Sequence, residues 1–413
     1  MSESKRVFVS AGEHSGNVYV ASVIKDLLGR YPELEFEGVG GTELGDCGVK
    51  ILHNSDQWGS IGLVEALKRW KLVLVNHALC TYLEEERPDL VLLADYPGFN
   101  MPLARKARSL GIPSVYLFPP RKFSRDSNSV KDAASNITRV AAEFEPTFET
   151  YRQAGARVDF VGHPMLDILP QLSREDLRAK YSIQSNERVI LLMPGSRVQE
   201  LVLLLPLFRD LSIRLFNKVP SIRFHLLGAQ NLRSNSKMNS ELERFEHEQR
   251  ELGVPVSLFW ENRFEHMCIS DFAVATSGTA TLELACYKVP MAICYKVTPL
   301  TAFLAKLFSR IPRFIGLPNL LANDSIVPEF VQQHASVDEM APFIEECLLS
   351  AEKLESIRSK LGVTISKLGG TGAIQRVNRL ILEELGIFES SEKGPAPLSN
   401  DVGEKHQKES ALT

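Results

Sequence analysis

Short apolar runs and longer amphipathic segments alternate along nearly the whole chain. Arg6–Ala11, Glu35–Val39, Leu90–Asp95, Ser114–Phe118, Thr138–Ala142 and Val158–Val161 read as strands, since short apolar runs bounded by turn formers suit a sheet covered on both faces. Between them, Asn17–Gly29, Gly62–Glu86 and Met101–Leu110 carry apolar positions at helical spacing. After a connection near Gly162–Pro170 the alternation restarts, with Val189–Met193, Arg223–Leu227, Val256–Trp260, Phe272–Ala275 and Met291–Tyr295 as strands. Val337–Leu349 and Ala351–Lys367 read as helices, and Gly369-Gly370 interrupts the chain before a last helix, Ala373–Glu384. Strand–helix alternation of this kind builds parallel sheets from βαβ units. The pattern therefore predicts an α/β fold of two doubly wound, Rossmann-like domains facing a cleft, with ligands at the carboxyl ends of the strands. The expected divisions are residues 1–165, residues 166–368, a C-terminal helix in 369–389 and a tail in 390–413. That tail is polar and has little to bury, so it is expected to be disordered.

Composition narrows the class. A chain of 413 residues has room for two cores of ordinary size. A net charge of −4 gives no electrostatic footprint for nucleic acid. The six cysteines form no CxxC pair and lie mostly in apolar runs, which fits reduced thiols in a cytosolic protein better than disulfides or zinc. The N-terminus passes directly into a strand without the apolar core of a signal peptide, and no apolar stretch approaches the roughly 20 residues of a membrane span.

Two turns carry the most specific chemistry. Pro194-Gly195-Ser196-Arg197 follows the strand Val189–Met193, and Ser277-Gly278-Thr279 follows Phe272–Ala275; each opens a helix-like segment. Backbone N–H groups at a helix start lack intrahelical partners and seat phosphate. Arg197 suits a bidentate grip on a diphosphate, and Glu283 suits a ribose diol. The pair points to a nucleotide-sugar site. In the first domain, Gly12 and Gly16 in Ser10–Asn17 permit close backbone approach, while Ser15 and Asn17 suit helix capping. Asp95 stands at the carboxyl end of a buried strand, where a general base for an acceptor hydroxyl is needed; before Tyr96-Pro97 it also suits a simple turn. Asn100 is expected to cap the next helix. His163 suits a hinge or capping hydrogen bond, and Glu200 sits favourably on the first turn of its helix. Leu317–Ala322 with Pro328-Glu329 reads as a loop whose Asn319 and Glu329 are within reach of a sugar or base. Phe303, Leu304, Leu307 and Phe308 recur at helical spacing beside Lys306, Arg310 and Arg313, and Trp58, Trp70 and the apolar run Leu72–Val75 are expected near the first domain's cleft; such stretches serve either a core or a lipid surface.

These motifs in this order resemble the lipid-A-disaccharide synthase family, from about Arg6 to about Leu385: Gly12–Gly16, Ile61–Glu65, Asp95 with Phe99-Asn100, Gly162-His163-Pro164, the Pro-Gly-Ser-Arg segment, Ser277–Glu283 and Leu317–Ala322. The resemblance implies the two-domain GT-B architecture. It implies an inverting transfer from UDP-2,3-diacylglucosamine to 2,3-diacylglucosamine-1-phosphate (lipid X), which gives a β-1,6-linked disaccharide phosphate and UDP. It also implies no metal or cofactor, a homodimer, and residence on the cytoplasmic face of the inner membrane. Asp95 matches the family's essential aspartate. Gly195, Ser196, Arg197, Ser277, Gly278, Thr279, Glu283, Asn319 and Glu329 fall on the donor side; Gly12, Glu13, Ser15, Gly16 and Glu65 fall on the acceptor side. The chain departs from the family at Asn17 and Gly98, where acids are usual, and at Pro119–Ser124, where a basic segment replaces a loop bearing two tryptophans. Three functions are therefore weighed: the family transfer, a UDP-sugar enzyme with another acceptor or epimerase activity, and a non-catalytic nucleotide-binding protein.

Overall fold

The computed structural model describes residues 4–56, 58, 65–120, 127–298 and 313–388, with the backbone alone at 65–69 and 127–128. The tail 390–413, residues 121–124 of the basic loop and residues 301–312 of the amphipathic stretch lie outside them.

The chain forms two compact units. In the first, strands β1 (Arg6–Ala11), β2 (Glu35–Gly40), β3 (Lys50–Asn54), β4 (Leu90–Ala94), β5 (Ser114–Leu117), β6 (Arg139–Ala142) and β7 (Val158–Phe160) make one parallel sheet in the order β3-β2-β1-β4-β5-β6-β7. The register sets Val7 beside Leu90 and Ala11 beside Ala94. Every residue of β4 is buried, as its unbroken apolar run requires of a strand with helices on both faces. Phe8, Val91, Leu93, Leu103 and Tyr116 are among the residues of one core.

The second unit, Leu169–Lys367, contains β8 (Arg188–Met193), β9 (Ile222–Leu227), β10 (Val256–Phe259), β11 (Phe272–Thr276), β12 (Met291–Tyr295) and β13 (Glu329–Val331). Its strands are again parallel, in the order β10-β9-β8-β11-β12-β13. Its core joins Ile190, Leu192, Phe208, Phe224, Phe272 and Ile293 with residues of the helices around the sheet.

The first unit is discontinuous in sequence: the chain leaves it at Ile168 and returns at Leu368. The helix Ala373–Leu385 packs against helix His14–Arg30 and strands β4, β5 and β6. Asp167 accepts from the N–H groups of Gly372 (2.5 Å) and Ile374 (2.7 Å), capping that helix at its electropositive end. The buried Arg376 guanidinium donates to the Val161 carbonyl at 2.7 Å. Arg139 grips Asp159 through two bonds, 2.7 and 3.0 Å, and also pairs with Glu383.

Several boundaries differ from the sequence expectation. β3 and β13 were not expected; both are short and only half-buried, so neither shows a long apolar run. Leu317–Ala322 is a short helix with Pro318 in its first turn, not a loop. The helix expected from Met101 begins at Pro97, and the one expected from Asn17 begins at His14, so Asn100 and Asn17 lie inside helices rather than at their caps. None of the six cysteines is in a disulfide; Cys268, Cys294 and Cys347 are buried. Among the described residues no helix is long and apolar enough to cross a membrane.

Candidate active-site residues

In an open parallel sheet, a crevice forms where successive strands switch from one side of the first strand to the other. In the first unit that point lies between β1 and β4, and in the second between β8 and β11. A turn singled out in the sequence follows each of these four strands.

After β1 the chain runs through Gly12 and Glu13 into helix His14–Arg30. After β4, Asp95 and Tyr96 adopt left-handed backbone angles, φ 50° and 45°. Two consecutive non-glycine residues in that region carry backbone strain that their surroundings must hold. Asn100 does so: its Nδ2 donates to the carbonyls of Ala94 (3.0 Å) and Asp95 (2.8 Å), while its Oδ1 accepts from Ser10 Oγ at 2.6 Å. The Tyr116 hydroxyl donates to the Asp95 carbonyl at 2.7 Å. The two turns touch. A Cβ on Gly12 would lie 2.5 Å from the Tyr96 ring, and one on Gly16 would lie 3.8 Å from Asp95 Cβ. Glycine at position 12 is thus required by Tyr96, a residue the sequence reading did not single out.

Asn17 is buried and joins three turns. Its Nδ2 donates to the Glu13 carbonyl at 2.9 Å and to Ser55 Oγ at 3.3 Å, and its Oδ1 accepts from Gly41 N–H at 2.6 Å. His14 pairs with Glu43 at 3.0 Å and holds that carboxyl below the usual range. Glu13 and Ser15 are half-buried beside these turns. Glu65 opens the helix Glu65–Glu86, and its side chain lies outside the described residues. On that helix Trp70, Val73 and Leu74 are exposed at helical spacing. Trp58 packs with Tyr96 and Phe99, the latter at 4.7 Å. His163 is buried against Tyr19, Phe118 and Phe144, and its Nδ1 accepts from Met165 N–H, a capping role.

In the second unit Arg197 is the N-cap of helix Val198–Lys218, with its side chain 54% exposed. Two N–H groups just ahead of this helix start are taken up within the turn. Glu200 Oε2 accepts from Ser196 N–H (3.1 Å) and Arg197 N–H (3.2 Å), because a glutamate three residues past the cap folds back on the helix start. Gly195, at φ 116°, leaves room for it; a Cβ there would sit 2.3 Å from Glu200 Oε2. The Arg197 guanidinium, 3.4 Å from Glu200 Oε1, remains the cation that the turn presents. Among the described residues no acceptor meets the N–H groups of Thr279 and Ala280 at the start of helix Thr279–Cys286.

Glu283 is nearly buried and pairs with Arg263 at 2.8 Å, a second arginine the sequence reading missed. Ser277 Oγ donates to the Ile315 carbonyl at 2.7 Å. Asn319 is fully buried: its Nδ2 donates to the Val327 carbonyl and to Glu329 Oε1, both at 2.8 Å, and its Oδ1 accepts from the N–H groups of Ile326 and Val327. Glu329 also accepts from the N–H groups of Ile315 (2.8 Å) and Gly316 (2.9 Å). These two side chains therefore spend their polar atoms on the fold.

A family model described as lipid-A-disaccharide synthetase matches residues 7–378. The chain belongs to the lipid-A-disaccharide synthase family. It is 33% identical over 387 residues to a lipid-A-disaccharide synthase of Geobacter sulfurreducens, spanning 93% of this chain and 98% of that one. It is 32% identical over 383 residues to one of Coxiella burnetii, spanning 92% and 98%. Among solved structures, the S. aureus MnaA–UDP co-structure aligns with TM-score 0.60 at 14% identity over 95% of this chain and all of that one. A UDP-GlcNAc 2-epimerase from Neisseria meningitidis bound to UDP-GlcNAc aligns with TM-score 0.53 at 15% identity, over 92% and 99%. At that identity the likeness is one of fold, and the two doubly wound units are those of the GT-B class expected of a lipid-A-disaccharide synthase.

Proposed function

We propose that the chain transfers 2,3-diacylglucosamine from its UDP derivative to 2,3-diacylglucosamine-1-phosphate, with inversion, releasing UDP. The observation that supports this most is the coincidence of family membership with the placement of Asp95 and Arg197 at the switch points of their own sheets. In the reaction, the acceptor's 6-hydroxyl oxygen bonds to the sugar's anomeric carbon as the bond from that carbon to the diphosphate oxygen breaks. Asp95 takes the hydroxyl proton, and the leaving diphosphate's charge is met by the Arg197 guanidinium and the N–H groups of Thr279 and Ala280. Ser277, Gly278 and Glu283 complete the donor side; Gly12, Glu13, Ser15, Gly16 and Glu65 form the acceptor side. Acyl chains on both substrates agree with a peripheral position on the cytoplasmic face of the inner membrane, where the exposed Trp70, Val73 and Leu74 meet lipid. The working form is a homodimer.

The test is UDP release by purified protein in detergent, with and without lipid X, with mass spectrometry of the product. Lipid-X-dependent release with a disaccharide mass is expected, and Asp95→Asn should lower turnover by about 10²-fold or more while leaving UDP binding intact. UDP binding without release would assign the basic loop Pro119–Ser124 to another acceptor or to a non-catalytic role.

A further inference from the structure

We propose that Glu329 is a positioning residue of the donor site, acting on the Ser277-Gly278 turn through the backbone of Ile315 and Gly316. This rests on the reading of the second unit as the UDP-sugar-binding half.

The chain of contacts is continuous. Glu329 is the first residue of β13, an edge strand paired with β12. Its two carboxylate oxygens receive three N–H donors, from Ile315, Gly316 and the Asn319 amide. Asn319 is itself locked by the Ile326–Val327 backbone, so the carboxylate is held from two sides. The segment it grips has little slack, since a Cβ on Gly316 would lie 2.2 Å from Ile293 Cδ1. The carbonyl of Ile315, in this same segment, receives the Ser277 hydroxyl. Ser277 stands between the end of β11 and the start of helix Thr279–Cys286, so its hydroxyl fixes the direction in which that helix start points. An ionised carboxylate is the one side chain of this length that accepts three donors without bringing a donor of its own. Glutamine in its place sets an NH₂ group against an N–H group, and the Ile315 segment loses its hold.

On this account Glu329 and Asn319 touch no substrate. Their effect on donor binding runs through Ser277, and that makes the effect measurable. Glu329→Gln, Ser277→Ala and the double variant are compared for UDP dissociation constant by calorimetry at a temperature where each gives the native circular-dichroism spectrum. Each single change is expected to weaken UDP binding about tenfold, and the double variant by about the same factor, because both cut one chain of contacts. Combined with Arg197→Ala, which acts on the other turn, Glu329→Gln should multiply the losses. In steady-state transfer the Michaelis constant should rise for the UDP-sugar and stay unchanged for the acceptor. An unchanged UDP affinity in Glu329→Gln, or losses that multiply in the Ser277→Ala double variant, would overturn the proposal alone. Failure of the unsubstituted chain to bind UDP would overturn the donor-site reading and this inference with it.

Discussion

In the first unit the turns after β1 and β4 meet the neutral side chains Asn17, Asn100, Ser10 and Ser55, whereas in the second a carboxylate, Glu200, holds the turn after β8, and another, Glu329, holds the Ile315–Gly316 segment whose carbonyl meets Ser277. An amide carries donors and acceptors together, so one Asn100 satisfies carbonyls and a hydroxyl at once and adds no formal charge to the turn that bears Asp95. A carboxylate only accepts. It suits places where several N–H groups converge, as at a helix start, but it puts negative charge near the seat of a diphosphate. Arg197 pairs with Glu200, and Arg263 pairs with Glu283 on the helix that follows β11.

The comparison can be broken at three points. The largest effect is expected from Asn100→Ala, which leaves the Ala94 and Asp95 carbonyls and the Ser10 hydroxyl without that partner in a buried site. A loss of about 4 kcal/mol is expected from urea unfolding; a loss below about 1 kcal/mol would mean that the amide is not the brace.

Next comes acidity, which should strike the second unit. There His225 and His266 meet Nδ1 to Nδ1 at 3.1 Å, both buried. Burial, aided by the neighbouring His266, pushes His225 down to about 3, and burial pushes His266 down to about 4. Both lie below the unfolded value near 6.5, so the unfolded chain takes up protons first. Their contribution is intact above about pH 6.5 and is lost as pH falls towards 4 and 3. At pH 5 the pair should cost the second unit about 4 kcal/mol relative to pH 7.5. Trp260 reports this unit in a chain whose Trp58 and Trp70 are replaced by Phe; equal Trp260 midpoints at the two pH values would contradict it.

The smallest effect is Gly195→Ala, at a left-handed φ and against Glu200, with an expected loss of about 2 kcal/mol. Gly98→Ala in the first unit, where a Cβ meets nothing within 4 Å, is the matched control and should be neutral or stabilising.

Much of this was legible in the sequence, for reasons that also explain the misses. The central strands are continuous apolar runs because helices cover both faces, so β1, β4, β8 and β11 announce themselves. β3 and β13 lie at sheet edges and carry no such run. Glycine turns after buried strands were visible, but strand order was not, and only strand order places all four turns at switch points. Asn17 and Asn100 looked like caps because asparagine prefers that position. Each lies inside a helix that begins about one turn earlier, and some of its partners, Ser10 for Asn100 and Gly41 and Ser55 for Asn17, are remote in sequence, where no local pattern points. Glu329 was read as reaching for a ligand because nothing near it in the chain shows that Ile315 and Gly316 turn their N–H groups towards it.

The return of the chain to its first unit at Leu368 bears on how the protein is made. During synthesis from the N-terminus, the sheet β1–β7 emerges early but lacks its last helix until Leu385 has left the ribosome. The second unit, uninterrupted from Leu169 to Lys367, has every residue it needs before then. The second unit is therefore free to fold to completion first, while the first, which bears Asp95, waits for its last helix to cover helix His14–Arg30.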